Sequence, residues 1–403
     1  MSPHFNMHLG AYVVLTALAG CSQVSRIAPV GADVARVVAG VPRLSEADEV
    51  KLAQHSVAEF ERGATLSSDP LLEAYVTQVM QRIVAVANPR SYQYRVKVID
   101  DPTINAFTFG GGFIYFYSGL LARLENEAQF AMIMGHEIAH VTERHVPRGM
   151  QGRYGAAILI ELARATSVGE GVVSGSALEK ARDYMHNAAQ FGHNRSLENE
   201  ADAVGLGYMT KAGFDPTLAA GAFQMLLDEH GDPPAARQFF YGSHPTNRER
   251  ITKLGTLAAE LPSRASGSEN TRGASDEYQR RTRTLVVKTA IDDFEKKRFR
   301  TASKLLLRTL PWSEGDPVPS YYLGLIALET GGVAGADSGL RYLRISVSAD
   351  STYAPAVREL GVAYYRKGEK SRSIAAFEQY LLLAPKADDA ARVSEMIREL
   401  RRG

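Results

Sequence analysis

Residues 130–140 read FAMIMGHEIAH, and the fold and chemistry of the chain are worked out from this stretch. Phe130, Met132, Ile133, Met134 and Ile138 are the apolar residues of a buried helix, expected over roughly 125–145. Only His136, Glu137 and His140 interrupt its apolar face, and an uncompensated charge there is costly. Two histidines four residues apart lie on one helical face, so their imidazoles can grip a single metal ion. Glu137, next to the first histidine, is placed to act on water. Zinc suits nitrogen ligands and lowers the pKa of the water it binds toward ~7.

A third ligand is found in Glu198-Asn199-Glu200-Ala201-Asp202, on a second helix expected over 177–212. Glu198 and Asp202 share a face. Glu198 is the candidate ligand, and Asp202 the acceptor for the free N–H of a ligand histidine, which fixes its tautomer. Glu200 lacks a partner carboxylate at the right spacing. His145, His186 and His193 match no partner pattern and read as surface or helix-packing residues.

These residues resemble the gluzincin metallopeptidase family that includes the CAAX prenyl protease, the HtpX-type heat-shock protease and the mitochondrial Oma-type protease. Four blocks match in order over roughly residues 45–260. They are Asn105-Ala106-Phe107 with Gly111-Gly112 and Gly119-Leu120; the HExxH helix; Arg195 with 198–202 and Gly205; and Ser243-His244-Pro245 with Arg250. Asn194 departs from the pattern, since a serine usually precedes the arginine. The resemblance implies one Zn²⁺ per chain, held by His136, His140 and Glu198, with Glu137 as general base. It also implies that Gly110–Tyr117 is a glycine-led edge strand whose Gly111, Gly112 and Phe113 meet an extended substrate, and that Asn105 binds a substrate carbonyl. His244 has two readings: an oxyanion donor helped by Arg250, or a histidine switch that takes the open zinc position.

The fold class expected is mostly α: an α+β catalytic domain with a small antiparallel sheet, then an all-α repeat solenoid. Strands are expected at 94–99 and 113–117. The apolar run 11–20 ends in Leu18-Ala19-Gly20-Cys21, which resembles a bacterial lipobox. Residues 1–20 are then a lipoprotein signal peptide, Cys21 the acylated residue and 21–45 a tether. Ser22 points to the outer membrane. The metallopeptidase domain is expected over 46–262. The polar, Gly- and Ser-rich stretch 263–278 reads as a linker. In 279–403, Leu323-Gly324 and Leu360-Gly361 lie 37 residues apart, and Tyr364, Phe377 and Pro385 fall at tetratricopeptide (TPR) offsets. Lipidation and a repeat tail make the chain similar in particular to the periplasmic BepA-like branch.

A net charge of +1 with no basic stripe argues against nucleic acid, and one cysteine excludes an internal disulfide framework. The partners expected are polypeptide substrates, a protein bound by the repeats, such as outer-membrane assembly machinery, and the membrane through Cys21. The function expected is a periplasmic endopeptidase for misassembled envelope proteins. The competing expectation is an assembly factor with a quiet metal site.

Overall fold

The structure is a computed structural model that describes residues 44–87, 90–167, 175–230, 248–261 and 269–402. Cys21, nearly all of the tether and His244 lie outside the described residues. The chain opens with α1 (Glu46–Gly63), capped by Ser45, whose hydroxyl accepts from Asp48 N–H. Next comes α2 (Pro70–Val84), capped by Asp69 with proline in the first turn.

Three strands follow: β1 (Arg95–Ile99), β2 (Ala106–Gly110) and β3 (Phe113–Tyr117). Their order is β1-β3-β2, with β1 parallel and β2 antiparallel to β3. The antiparallel sheet expected is therefore mixed. The reason is topological: β3 returns from the tight β2 hairpin into the slot between β2 and β1, so the glycine-led strand is central and not an edge. Its side chains alternate between two cores. Ile114 and Phe116 join one cluster, and Phe113 and Tyr115 the other. A strand buried on both faces reads as the unbroken apolar run FIYFY.

After α3 (Ser118–Arg123) comes α4 (Glu127–Thr142), capped by Asn126 and buried along its whole length. Arg144, at φ 56°, stops it before α5 (His145–Tyr154), so the single helix expected over 125–145 is broken. The helix expected over 177–212 is likewise split after α6 (Ala156–Ser167), into α7 (Gly175–Phe191) and α8 (Arg195–Lys211). Asn194 caps α8 by accepting from Ser196 and Leu197 N–H. The departure from serine thus keeps the capping chemistry.

α4 crosses α8 with almost nothing between them. A Cβ on Gly135 would lie 2.7 Å from Gly205 O, and one on Gly205 would lie 2.6 Å from His136 N. α9 (Ala219–His230) and α10 (Arg248–Glu260) close this half of the molecule.

The linker expected over 263–278 is helical from Glu269 onward, as α11 (Glu269–Glu295). Composition argued for a loop, but tertiary packing overrides so weak a local preference. Tyr278 is fully buried in the apolar cluster around Phe130, and its hydroxyl donates to Leu121 O at 2.6 Å. The boundary at 278/279 therefore falls inside a helix. α12 (Phe299–Thr309) pairs with α11, α13 (Val318–Thr330) with α14 (Gly332–Ala349), and α15 (Ala354–Arg366) with α16 (Lys370–Leu383). α17 (Ala390–Arg402) packs on α16. The glycines of the two Leu-Gly pairs are contact points. A Cβ on Gly324 would meet Leu343 at 2.8 Å, and one on Gly361 would meet Phe377 at 2.6 Å.

Buried charges tie the two halves together. Arg123 bonds Asp293 of α11 at 3.1 Å and lies 3.1 Å from Glu229 at the end of α9. Arg308 donates to the carbonyls of Ala122 and Arg123.

Two outcomes are expected. Gly205→Ala gains about 1 kcal/mol of helix propensity but meets backbone atoms that cannot yield, so it should lose about 1–3 kcal/mol net. A variant stabler than wild type in urea melts would refute the tight crossing. Asp293→Ala strands the Arg123 guanidinium and should cost about 3–5 kcal/mol in the same assay; a loss below about 1 kcal/mol would show that Glu229 alone satisfies it.

Candidate metal centre

The crossing of α4 and α8 sets the motif residues face to face. Among the described residues, one group of His, Cys, Asp or Glu side chains could hold a metal ion: His136, His140 and Glu198, all buried. The two Nε2 atoms are 3.0 Å apart. Glu198 Oε2 lies 3.4 Å from His136 Nε2, and Oε1 lies 3.7 Å from His140 Nε2. A tetrahedral ion with bonds of about 2.1 Å has ligand separations of about 3.4 Å, so three donors so placed fit zinc. Charge points the same way. Glu137, Glu198 and Asp202 are all buried, and among the described residues the buried Arg250 guanidinium pairs with Asp202. A divalent cation suits a buried group of carboxylates and imidazoles of this kind.

Each element places its residue for a local reason. α4 presents His136 and His140 one turn apart, with Glu137 fully buried between them. α8 presents Glu198 in its first turn, directly after the Asn194 cap. The backbone N–H of His193 donates to Glu198 Oε1 at 3.0 Å, so the α7–α8 turn also orients this carboxylate.

Asp202 lies one turn further along α8, with Oδ1 2.9 Å from His136 Nδ1. Arg250 of α10 grips it with two 2.7 Å hydrogen bonds, from Nε and from Nη2. Burial works to raise the Asp202 carboxyl, but Arg250 and His136 outweigh it and hold the group below the usual aspartate range. Arg250, expected to help His244 at the oxyanion, is buried against Asp202, with Nη1 3.7 Å from Glu198. Its planar fork matches a carboxylate, which commits it to that pair.

Of the two readings of His145 and His193, surface or helix packing, burial leaves packing, and it is packing against the ligand His140. His145 is fully buried, with Nδ1 2.8 Å from His140 Nδ1 and Nε2 3.4 Å from Glu200 Oε2. Burial pushes its imidazole down to about 4. Glu200, set aside on spacing, accepts from Arg148 at 2.9 Å. The ring of His193 stacks on that of His140, with centroids 4.5 Å apart, and its Nδ1 meets Tyr184 Oη at 3.2 Å. A sequence signal for His145 did exist, a third histidine nine residues after His136, but its use depends on the break at Arg144. His186 packs edge-on against Phe109, as a helix-packing residue does.

The glycine-led strand expected at a sheet edge lies at the sheet centre. β3 is flanked on both sides, so Gly111, Gly112 and Phe113 do not form an open edge. Gly112 O accepts from Arg95 N–H at 2.8 Å, and Phe113 pairs with Arg95 across the sheet. Asn105 donates its amide to Ala189 O at 3.3 Å, tying the start of β2 to α7.

Two histidines from α4 and a glutamate from α8, with the carboxylate of HExxH between the histidines, define a zinc metallopeptidase domain. Residues 70–258 match the sequence profile of Peptidase family M48, and this domain belongs to that family. Zinc is accordingly the metal the site takes. The chain is 29% identical to the beta-barrel assembly-enhancing protease of Escherichia coli (strain K12), over 68% of this chain and 56% of the relative. It is 31% identical to the protein of that name from Yersinia pestis, over 46% and 39%. To the mitochondrial metalloendopeptidase OMA1 of Schizosaccharomyces pombe it is 30% identical, over 45% and 51%. The chain spans about half the length of the curated relatives it matches.

Asp202→Asn removes the charge that Arg250 and His136 share. Zinc affinity, read by competition with a chelator, is expected to fall about 10–100-fold. Unchanged affinity would mean that Asp202 serves Arg250 alone.

Proposed function

We propose that this chain is a zinc-dependent endopeptidase of the bacterial periplasm that cleaves unfolded or misassembled outer-membrane proteins. The observation that carries the reading is the buried His136–His140–Glu198 group with Glu137 in its midst. A protein that only scaffolds partners has no use for a carboxylate between two ligand histidines, and a structural zinc site is normally closed by four protein ligands.

Bound zinc supplies a Lewis acid that lowers the pKa of water and polarises the scissile carbonyl. Glu137 takes the proton of the attacking water and hands it to the leaving amine. Asp202 holds the His136 ring, and Arg250 holds Asp202. His244 acts from the segment before α10, as oxyanion donor or as a switch that keeps the enzyme off.

The envelope setting is supported by the relatives named for beta-barrel assembly and by the lipobox-like 18–21. Acylation of Cys21 would anchor the chain at the outer membrane. Among the described residues no helix is long and apolar enough to cross a membrane. The helix pairs from α11 onward are TPR-type units that take a protein partner, such as outer-membrane assembly machinery. An open groove of about 320 Å³, lined by residues including Tyr321, Pro355, Arg358 and Tyr380, offers one docking place.

The full chain, Glu137→Gln and His244→Ala are compared for zinc content and casein cleavage. Glu137→Gln is expected to keep one zinc while turnover falls about 10²–10⁴-fold; retained cleavage sinks the assignment. Faster cleavage by His244→Ala identifies the switch, and slower cleavage the oxyanion donor. Zinc without cleavage in any form would favour an assembly factor with a quiet site.

A further inference from the structure

We propose that His145 and Glu200 are positioning residues for the ligand His140, fixing which of its ring nitrogens is bare toward the metal. The inference rests on the zinc reading of His136, His140 and Glu198.

The argument is one of proton placement. Two imidazole nitrogens 2.8 Å apart can bond only if one carries the hydrogen and the other does not. His140 Nε2 faces His136 Nε2 and Glu198, so it is the nitrogen that must be bare to ligate. The hydrogen of His140 then sits on Nδ1 and donates to His145 Nδ1. That places the hydrogen of neutral His145 on Nε2, which faces Glu200 Oε2 at 3.4 Å. At that distance the contact is chiefly electrostatic. Arg148 completes the chain at 2.9 Å from the same oxygen.

The two ligand histidines are thus backed alike. His136 leads directly to Asp202 and Arg250. His140 leads through one extra imidazole to Glu200 and Arg148, and the second chain runs from the buried site to half-exposed groups.

This arrangement is built by the fold and does not follow from sequence proximity. On a continuous helix, residues five apart point about 140° away from each other. The left-handed Arg144 breaks that geometry and turns His145 back onto His140. Arg144 is itself held by its guanidinium, bonded to Glu49 and to Leu44 O.

The test uses the full chain, with zinc dissociation constants from chelator competition and urea melts of the zinc-free proteins. His145→Leu fills the space but offers no acceptor, and zinc affinity should fall about 10–100-fold. His145→Asn restores an acceptor near the Nδ1 position and should recover much of that loss. Glu200→Gln lies partly in solvent, folds without difficulty and should weaken zinc several-fold, which keeps the test decisive if His145→Leu misfolds. The inference is overturned if His145→Leu holds zinc as tightly as wild type, if His145→Asn is no better than a folded His145→Leu, or if Glu200→Gln changes nothing. Failure of the wild type to bind zinc would instead remove the reading beneath it, and the two results cannot be confused.

Discussion

The site depends on the contact of two backbones. α4 and α8 meet at Gly135 and Gly205 with no room for a Cβ on either side. That closeness sets His136 and His140 within ligand distance of Glu198, because an imidazole and a carboxylate reach only a few ångströms from their helices. Ordinary side chains at the crossing would hold the axes about 8–10 Å apart. Everything else in the domain supports this crossing: the Asn126 and Asn194 caps, the apolar cluster around Phe130 and Met134, and the doubly buried strand β3.

A second constraint follows from the first. Placing three carboxylates and two imidazoles in an apolar core is unfavourable unless each polar group has a partner and the net charge is balanced. Arg250 answers part of this by forking Asp202, and a divalent cation answers the rest. Arg250 lies 48 residues along the chain from Asp202, and their pair joins α10 to the metal centre. The helix pairs from α11 onward are joined by similar means. Tyr278 enters the core, and Arg123 shares its buried charge between α9 and α11. The first helix of the pairs is thus seated on the metallopeptidase half.

The sequence could be read well where function rests on neighbours along one helix. His136, Glu137 and His140 share a face by helical periodicity alone, and the same holds for Glu198 and Asp202. The burial of His136, Glu137 and His140 was legible in the apolar residues Phe130, Met132, Ile133, Met134 and Ile138 around them. Asn194 could be seen as a departure, and the structure explains it as an equivalent cap. The roles of His145 and Glu200 were not legible. Their spacing to His140 and His136 has no periodic meaning until Arg144 adopts a left-handed conformation. Arg250 was recognisable as a motif residue, but its partner was not.

The residues alone therefore determined the donor set, its placement on helical faces, the apolar strand and the helical character of the C-terminal part, because each of these is a local pattern with its own period. Tertiary structure alone decided that β3 lies between two strands, that 269–278 is helix where composition argued for linker, that Arg250 turns to Asp202, and that His145 stands behind His140. The physical reason is the same in each case. Strand order, burial and the partner of a charged side chain are fixed by groups distant in sequence, and no periodicity along the chain records which of them will pack together.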